Sequence, residues 1–126
     1  MEPYKFTVVE SKRKKLILDT DAKNEADDQY ALVHALLTPM FDIKGIIASH
    51  FGHDRIKDSL EASYQELLRV LRYSGFEGKV NAVKGAPTWL NRNGTGFFSG
   101  VTPIDSDGAQ MIIKESMAVH EGEKLY

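Results

Sequence analysis

Short apolar runs alternate with amphipathic stretches along the chain. The first apolar run is residues 16–18, the second is residues 43–48, and the third lies within the sequence KVNAVKGAP (79–87). Runs of this length are typical of buried β-strands. We therefore predict three strands, of which the first leads into the sequence Asp-Thr-Asp at residues 19–21.

Three other stretches space their apolar residues at helical intervals. The first begins at Asp28 and stops at Thr38, and the second lies within residues 54–78 and stops near Gly75. The third opens at Pro103 and carries on one face Ala109, Ile112, Ile113 and Met117. Proline and glycine at these positions are ordinary signals for the start or end of a helix.

These elements follow the order strand, helix, strand, helix, strand, loop, helix, in which the loop is the Gly- and Asn-rich residues 88–101. Such alternation is typical of right-handed crossovers and a parallel sheet with helices on both faces. We therefore predict an α/β fold with an open, mostly parallel, Rossmann-like sheet. No repeat or composition shift divides the sequence, so residues 1–126 are predicted to form one domain.

The composition is that of a soluble globular protein. Of the 126 residues, 42% are hydrophobic and 27% are charged, and the net charge is −2. This balance gives no reason to expect a nucleic-acid or membrane partner. The basic residues 12–15 precede the first apolar run, and we interpret them as a solvated lead-in to the strand rather than as a polyanion-binding or nuclear-localisation patch.

The sequence also limits which targeting signals and which cysteine chemistry are to be expected. Residues 1–15 lack the basic-then-apolar order of a signal peptide, and no apolar run approaches the ~20 residues needed to span a bilayer. The sequence contains no cysteine, which excludes disulfides, a thiol nucleophile and Cys-ligated metal sites. We expect a cytoplasmic protein.

Acidic residues are concentrated in residues 19–28, here called the acidic segment, which holds four aspartates and one glutamate. In an open parallel sheet, ligands bind at the carboxyl ends of the strands, where this segment begins. Carboxylates this close raise one another's pKa unless a positive charge lies among them, and a hard divalent cation supplies it best. The segment therefore predicts a metal-dependent hydrolytic site, with Asp27 or Asp28 as the N-cap of the following helix.

Two known patterns can be tested against the acidic segment. An EF-hand loop needs glycine at its sixth position and glutamate at its twelfth, but counting from Asp19 these are Asn24 and Tyr30. Haloacid-dehalogenase-type phosphatases also have a strand ending Asp-x-Asp, whose first aspartate is the nucleophile. Their pattern places Thr or Val where this chain has Lys23, and it leaves the second Asp pair unexplained. A phosphatase with Asp19 as nucleophile and Mg²⁺ as cofactor is the alternative interpretation.

A strand ending Asp-Thr-Asp, a short loop and then an Asp-Asp pair before an Ala-Leu helix resemble the N-terminal signature of the inosine-uridine-preferring nucleoside hydrolases. The sequence FDIKGIIASHFG (41–52) is similar to the family's second strand, and VNAVKGAPTWL (80–90) is similar to its third strand and the turn after it. The resemblance covers the chain from about residue 16 onward. It implies hydrolysis of the N-glycosidic bond of a ribonucleoside substrate to free base and ribose, in purine and pyrimidine salvage.

The resemblance also implies roles for individual carboxylates. Asp21 is expected to be a Ca²⁺ ligand and the general base for the attacking water, and Asp28 a further Ca²⁺ ligand. Asp27 is expected to hydrogen-bond the ribose hydroxyls, and Asp19 to orient the segment. Mg²⁺ is the alternative cation. The transition state resembles an oxocarbenium ion, which nearby carboxylates stabilise electrostatically.

Two departures from the family pattern affect these roles. The loop of residues 22–26 is two residues longer than the family's Pro-Gly-containing loop, so Asn24 and Glu25 have no counterpart. They either touch substrate, shield the metal or lie exposed. His53 stands where the family often has asparagine, and it either meets the leaving base or is a surface or helix-capping residue.

The third departure concerns length. The family is substantially longer, and its remaining calcium ligands and its leaving-group acid come from later segments. We therefore expect the chain to be a truncated, N-terminal portion of such a domain, with weak or absent activity by itself. A half-sheet leaves an unpaired edge, which favours a homo-oligomer. The third alternative is a non-catalytic module that binds a metal or a nucleoside.

Overall fold

The computed structural model describes residues 6–88 and 103–126. Within them, a short 3₁₀ turn at Glu10–Lys12 precedes alternating strands and α-helices. These are β1 (Lys14–Thr20), α1 (Asp27–Leu37), β2 (Phe41–Ala48), α2 (Ser59–Ser74), β3 (Ala82–Lys84) and α3 (Asp107–Met117). The predicted order of elements is confirmed. The predicted loop of residues 88–101 lies outside the described residues except for Thr88.

The strands form one parallel sheet in the order β1-β2-β3. β1 pairs with β2 along its whole length, and β3 pairs with the last three residues of β2. Each pair of neighbouring strands is connected through a helix, as parallel pairing requires. The predicted α/β fold with an open parallel sheet is confirmed for the described residues.

A β-bulge in β2 changes which side chains face the core. Leu16 lies opposite Ile43, but the next residue of β1 lies opposite Gly45, so Lys44 is the extra residue. Side chains normally alternate between the two faces of a strand. Because of the bulge, Ile43 and Ile46 both pack in the same core cluster although they are three residues apart.

Helices cover both faces of the sheet, as predicted. On one face, Ile46 and Ala48 pack in a buried cluster with apolar residues of α1 and α2, namely Leu32, Leu36, Leu67, Val70 and Leu71. On the other face, Met111 of α3 packs over Gly45, and the first turn of α3 lies on Ile47. Neighbouring residues of β2 therefore contact different helices.

The ends of α1 and α2 agree with the predicted stops, but their starts differ. α2 begins at Ser59 rather than near residue 54, because the Asp58 side chain caps it by accepting a hydrogen bond from the Glu61 N–H (3.0 Å). It ends at Ser74, before Gly75 in the left-handed conformation (φ 78°). None of the helices in the described part of the chain has both the length and the apolar character to cross a membrane.

α3 presents a different face to the sheet than its apolar spacing indicated. The buried residues of this helix are Gly108 and Met111, one turn apart. Among the described residues, Ile112, Ile113 and Met117 are 46%, 55% and 83% exposed. The apolar face on which they lie is therefore largely outside the contact with the sheet.

The C-terminal residues lie along the edge of β1 that is not paired with β2. Leu125 forms a parallel bridge with Lys15. The Ile17 N–H donates to the Tyr126 backbone O (2.8 Å), and the Tyr126 N–H donates to the Lys15 O (3.0 Å). Lys15 also forms an ion pair with Glu123. The edge of β1 is thus partly paired, whereas β3 has a neighbour only on its β2 side within the described residues.

Candidate functional site

The acidic segment lies at the carboxyl edge of the sheet. It begins in the last two residues of β1 and ends in the first turn of α1. The N-cap of α1 is Ala26, with no side-chain hydrogen bond, so the prediction that Asp27 or Asp28 is the N-cap is wrong. Asp27 and Asp28 are instead the first two residues of the helix, where the positive end of the helix dipole stabilises a carboxylate by a few tenths of a kcal/mol to ~1 kcal/mol.

Asp28 is held against the end of β1. Thr20, the last residue of that strand, is buried, and its hydroxyl donates to Asp28 Oδ1 (2.5 Å). A carboxylate has two oxygens with several lone pairs, so a single donor does not use its whole capacity. Thr20 therefore fixes the orientation of the Asp28 carboxylate and leaves it able to bind a further donor or a cation.

Asp21 closes a turn with Asn24. The Asn24 backbone N–H donates to the Asp21 O (2.7 Å), and Asn24 Nδ2 donates to Asp21 Oδ2 (3.1 Å). The residues on either side of Asp21, Thr20 and Ala22, are both buried. The backbone of Asp21 is therefore held in place on both sides, while its side chain is half-buried.

The enlarged loop meets the connection between β2 and α2. Arg55 Nη1 donates to the Asn24 side-chain oxygen (2.9 Å) and to the Asn24 backbone O (3.3 Å). The Asn24 amide thus accepts from Arg55 and donates to Asp21. One of the two added loop residues links a guanidinium to a predicted metal ligand, whereas the other, Glu25, is exposed.

Glu66 of α2 is a buried carboxylate that contacts both ends of this loop. Its Oε2 accepts from Lys23 Nζ (3.2 Å) and Arg69 Nη1 (3.1 Å), and its Oε1 accepts from Gln29 Nε2 (3.3 Å). Gln29 Nε2 also donates to the Ala22 O (2.9 Å). Glu66 is 8% exposed. One side chain of α2 therefore connects the start of the loop to the first turn of α1.

The charge state of Glu66 follows from these contacts. Burial raises the pKa of its carboxyl, but hydrogen bonds from Lys23 and Gln29 and the positive charges of Lys23 and Arg69 lower it. The balance holds the pKa of Glu66 below its ordinary value of 4.5. Glu66 is therefore ionised at neutral pH despite its burial.

Asp19 lies on a different side of this edge. It is exposed near the end of β1, and Ser49, directly after β2, donates its hydroxyl to Asp19 Oδ1. Both line a cavity of about 660 Å³ between the strand ends and α3. Its other lining residues include His50, Gly85, Thr88, Ile104, Ser106 and Ile112. The three other aspartates of the acidic segment do not line this cavity.

The remaining predicted site residues are at the surface. Asp27 is exposed in the first turn of α1. His53 is exposed in the connection between β2 and α2, and its Nδ1 lies 3.0 Å from the Lys57 backbone O. The structure thus holds Asp28 against Thr20, the residue before Asp21, and it places Asp19 with Ser49.

Asp21 and Asp28 offer only some of the oxygen ligands that a hard cation requires. The carboxylate oxygens of Asp21 and Asp28 are the ligand type that Ca²⁺ and Mg²⁺ prefer, and the neutral donors on them orient the carboxylates. Ca²⁺ takes six to eight oxygens. In residues 6–88 and 103–126, no group of three or more acidic or histidine side chains is arranged to hold a metal ion. Asp21 and Asp28 therefore have the ligand type that such a cation prefers, but two carboxylates are too few to hold it alone.

Sequence reasoning missed four residues of this region: Ser49, Arg55, Gln29 and Glu66. Signals existed for two of them. Ser49 directly follows the second apolar run, at the carboxyl end of a predicted strand. Glu66 is an acidic residue on the buried face of an amphipathic helix, where an unpaired carboxylate is costly. Arg55 and Gln29 follow no pattern that distinguishes them from other surface residues.

No protein-family model matches the chain, and no curated protein sequence matches it. The resemblance to nucleoside hydrolases therefore rests on the acidic motif after the first strand and on the similarity of the second and third strands.

Proposed function

We propose that the chain carries part of a nucleoside hydrolase site, which uses Ca²⁺ and water to cleave the N-glycosidic bond of ribonucleosides. One observation carries the proposal. Thr20 immediately precedes Asp21, and its hydroxyl donates to Asp28, so Asp28 is held at the buried residue that is next to Asp21 in the chain. Paired carboxylates at the carboxyl edge of a parallel sheet are suited to bind a cation next to a ligand.

The resemblance to nucleoside hydrolases supplies the roles of the side chains, and their positions are compatible with these roles. Asp21 and Asp28 would hold the cation, which would lower the pKa of a bound water. Asp21, fixed by its buried neighbours, accepts the proton of the attacking water. Asp27 is exposed and so able to accept hydrogen bonds from the ribose hydroxyls. Asp19 supports the strand end through Ser49.

The reaction separates the base from the sugar. As the glycosidic bond breaks, positive charge develops on the ribose, and carboxylates held nearby stabilise it. Water attacks the anomeric carbon, its proton passes to Asp21, and the base leaves with the bonding electrons. The described residues offer two cation ligands and no assigned acid for the departing base, so we propose weak or no turnover by this chain alone.

Calcium binding and turnover test the proposal separately. Calcium binding is followed by the rise in melting temperature and by competition with Tb³⁺ luminescence, and turnover by base release from inosine and uridine. We expect Asp21→Asn and Asp28→Asn to abolish the calcium-dependent rise. Asp105→Asn is the matched control, because Asp105 lies before α3, where its carboxylate accepts from Gln110 Nε2 (2.7 Å).

Each outcome has a distinct meaning. The proposal fails if calcium neither raises the melting temperature nor binds, and no base is released. A calcium-dependent rise with slow base release that is lost in Asp21→Asn supports the hydrolase, whereas a rise without any detectable base release fits a non-catalytic binding module equally well. Rapid base release by the wild-type chain shows that the site is more complete than proposed.

The cavity beside α3 favours a second candidate, a phosphatase with Asp19 as nucleophile and Mg²⁺ as cofactor. Asp19 lines this cavity with Ser49, whereas Asp21 does not. In this reaction the Asp19 carboxylate attacks phosphorus and the alcohol leaves. Aryl-phosphate hydrolysis that is lost in Asp19→Asn and kept in Asp27→Asn supports this candidate. The absence of hydrolysis at any Mg²⁺ concentration removes it.

A further inference from the structure

We propose that Glu66 is a positioning residue for the acidic segment: it fixes the loop between Asp21 and Asp28 and thereby sets the affinity of that pair for a divalent cation. The inference about the loop rests on contacts within the structure. The inference about the cation rests on the proposed function, so the two parts are tested by different measurements.

Two of the residues that Glu66 contacts are close in the chain to the proposed cation ligands Asp21 and Asp28. Lys23, which donates to Oε2, lies two residues after Asp21, and Gln29, which donates to Oε1, directly follows Asp28. Glu66 itself lies in α2, a separate helix whose buried face packs in the core. The loop between the two ligands is therefore held at both ends by one rigid element.

The Gln29 amide shows that these contacts decide the local geometry. Its Nε2 donates to both the Ala22 O and Glu66 Oε1. Its Oε1 is buried and accepts no hydrogen bond within the described residues. The opposite orientation of the amide would place an oxygen against two other oxygens. Glu66 and the backbone of Ala22 thus fix the Gln29 amide in one orientation. They do so although this orientation leaves the buried Gln29 Oε1 without a donor, which is costly.

The hydrogen bonds made to Glu66 require an ionised carboxylate at this position. Three N–H donors converge on its two oxygens, and two of them belong to the cations Lys23 and Arg69. A glutamine at this position would present an NH₂ group to at least one of these donors. It would also release the ammonium of Lys23, two residues from Asp21, which then competes with a metal ion for the carboxylates.

The experiment compares four chains: wild type, Glu66→Gln, Glu61→Gln and Val70→Ala. Glu61 is a carboxylate on the same helix that pairs with Lys84, away from the acidic segment, so it controls for the loss of one charge. Val70 is buried in the same helix and controls for a loss of stability. The measurements are the melting temperature, the hydrogen exchange of residues 21–29, and Ca²⁺ affinity by competition with Tb³⁺.

We expect Glu66→Gln to speed hydrogen exchange in residues 21–29 and to weaken Ca²⁺ binding by about 10-fold. This is the lower end of the effect of losing a direct hydrogen-bond partner of a metal ligand, because Glu66 acts on Asp21 and Asp28 only through Lys23 and Gln29. Val70→Ala is expected to lower the melting temperature at least as much as Glu66→Gln does. It should change neither the hydrogen exchange of residues 21–29 nor the Ca²⁺ affinity by more than twofold. Glu61→Gln is expected to change none of them.

The two parts of the inference fail separately. If exchange in residues 21–29 is the same in Glu66→Gln and wild type, Glu66 does not position the loop. If exchange rises but even the wild-type chain does not bind Ca²⁺, Glu66 positions the loop and the proposed function is wrong. If Glu66→Gln does not fold, Lys23→Gln replaces it, since Lys23 is half exposed and its loss removes one end of the connection. Unchanged exchange in Lys23→Gln then overturns the proposal.

Discussion

The two faces of the sheet are covered in different ways. On the face toward α1 and α2, two helices bury a continuous cluster around Ile46 and Leu67, both 0% exposed. On the face toward α3, a single helix approaches the strands through Gly108, while Ile112 and Ile113 remain partly exposed among the described residues. The acidic segment is attached to the first face, through Thr20, Ala22 and Glu66. The carboxylates proposed to bind a cation thus depend on the better-packed half of the structure.

The largest difference in the free energy of unfolding is expected between two substitutions, one of a leucine on the first face and one of an isoleucine on the second. Leu67→Ala removes a fully buried side chain and should lower the free energy of unfolding by about 2–5 kcal/mol. Ile113 is 55% exposed, so Ile113→Ala should cost less than about 0.5 kcal/mol. Urea denaturation of both variants measures the difference. Equal costs would show that the outer face of α3 is covered in solution.

The next largest effect concerns the close contact of α3 with the sheet. A Cβ on Gly108 would lie 2.7 Å from Ile47 Cγ2 and 3.2 Å from the Gly85 Cα. Gly108→Ala should therefore lower the free energy of unfolding by about 1–3 kcal/mol, although alanine is the better helix former. Ser116→Ala, at an exposed position of the same helix, is the control. A Gly108→Ala chain as stable as wild type would mean that α3 lies further from the strands than described.

A smaller effect is expected from pH. Because the pKa of Glu66 is held below 4.5 in the folded chain, chiefly by Lys23 and Gln29 against the effect of burial, its ionised form stabilises the fold. This contribution is complete well above pH 4.5 and is lost as the pH falls through the lowered pKa. The difference in stability between wild type and Glu66→Gln, about 1 kcal/mol at pH 7, should shrink as the pH falls below 4.5. If this difference in stability stays constant as the pH falls, the folded chain does not hold Glu66 in its ionised form.

The smallest effect is expected at the edge of β1. Glu123 pairs with Lys15 at a partly exposed position, and such pairs contribute little. Glu123→Gln should lower the melting temperature by less than about 2 °C, and 0.5 M NaCl should reduce that change further. A larger, salt-independent change would show that the ion pair is needed for the C-terminal residues to pair with the strand.

Most of the fold was predictable because local signals agreed with it. The alternation of apolar runs and helical spacing predicted the order of the elements and the parallel sheet, and Gly75 marked the end of α2. The start of α2 was misplaced, since the apolar spacing extends to Ile56 but the Asp58 cap decides where the helix begins. The face of α3 was mispredicted, because Gly108 and Met111 make the contact with the sheet and a glycine contributes nothing to an apolar pattern.

The candidate site was predictable at the level of the segment but not of its contacts. The spacing of Asp21 and Asp28 after a strand indicated a common location, and the bond from Thr20 to Asp28 agrees with it. The supports come from elsewhere in the chain: Arg55 is 31 residues from Asn24, and Glu66 is 43 residues from Lys23. Local patterns do not encode which polar side chains meet across such separations.

The pairing of the C-terminal residues with β1 has a consequence for the order of folding. Lys15 and Glu123 are 108 residues apart in the sequence, whereas β1 and β2 are joined through a single helix. Closing a long loop costs more chain entropy than closing a short one, and contacts of high sequence separation slow folding. The pairing of Tyr126 with the edge of β1 is therefore among the last contacts to form. Until it forms, that edge presents open backbone groups to other chains, so the yield of refolding should fall as protein concentration rises.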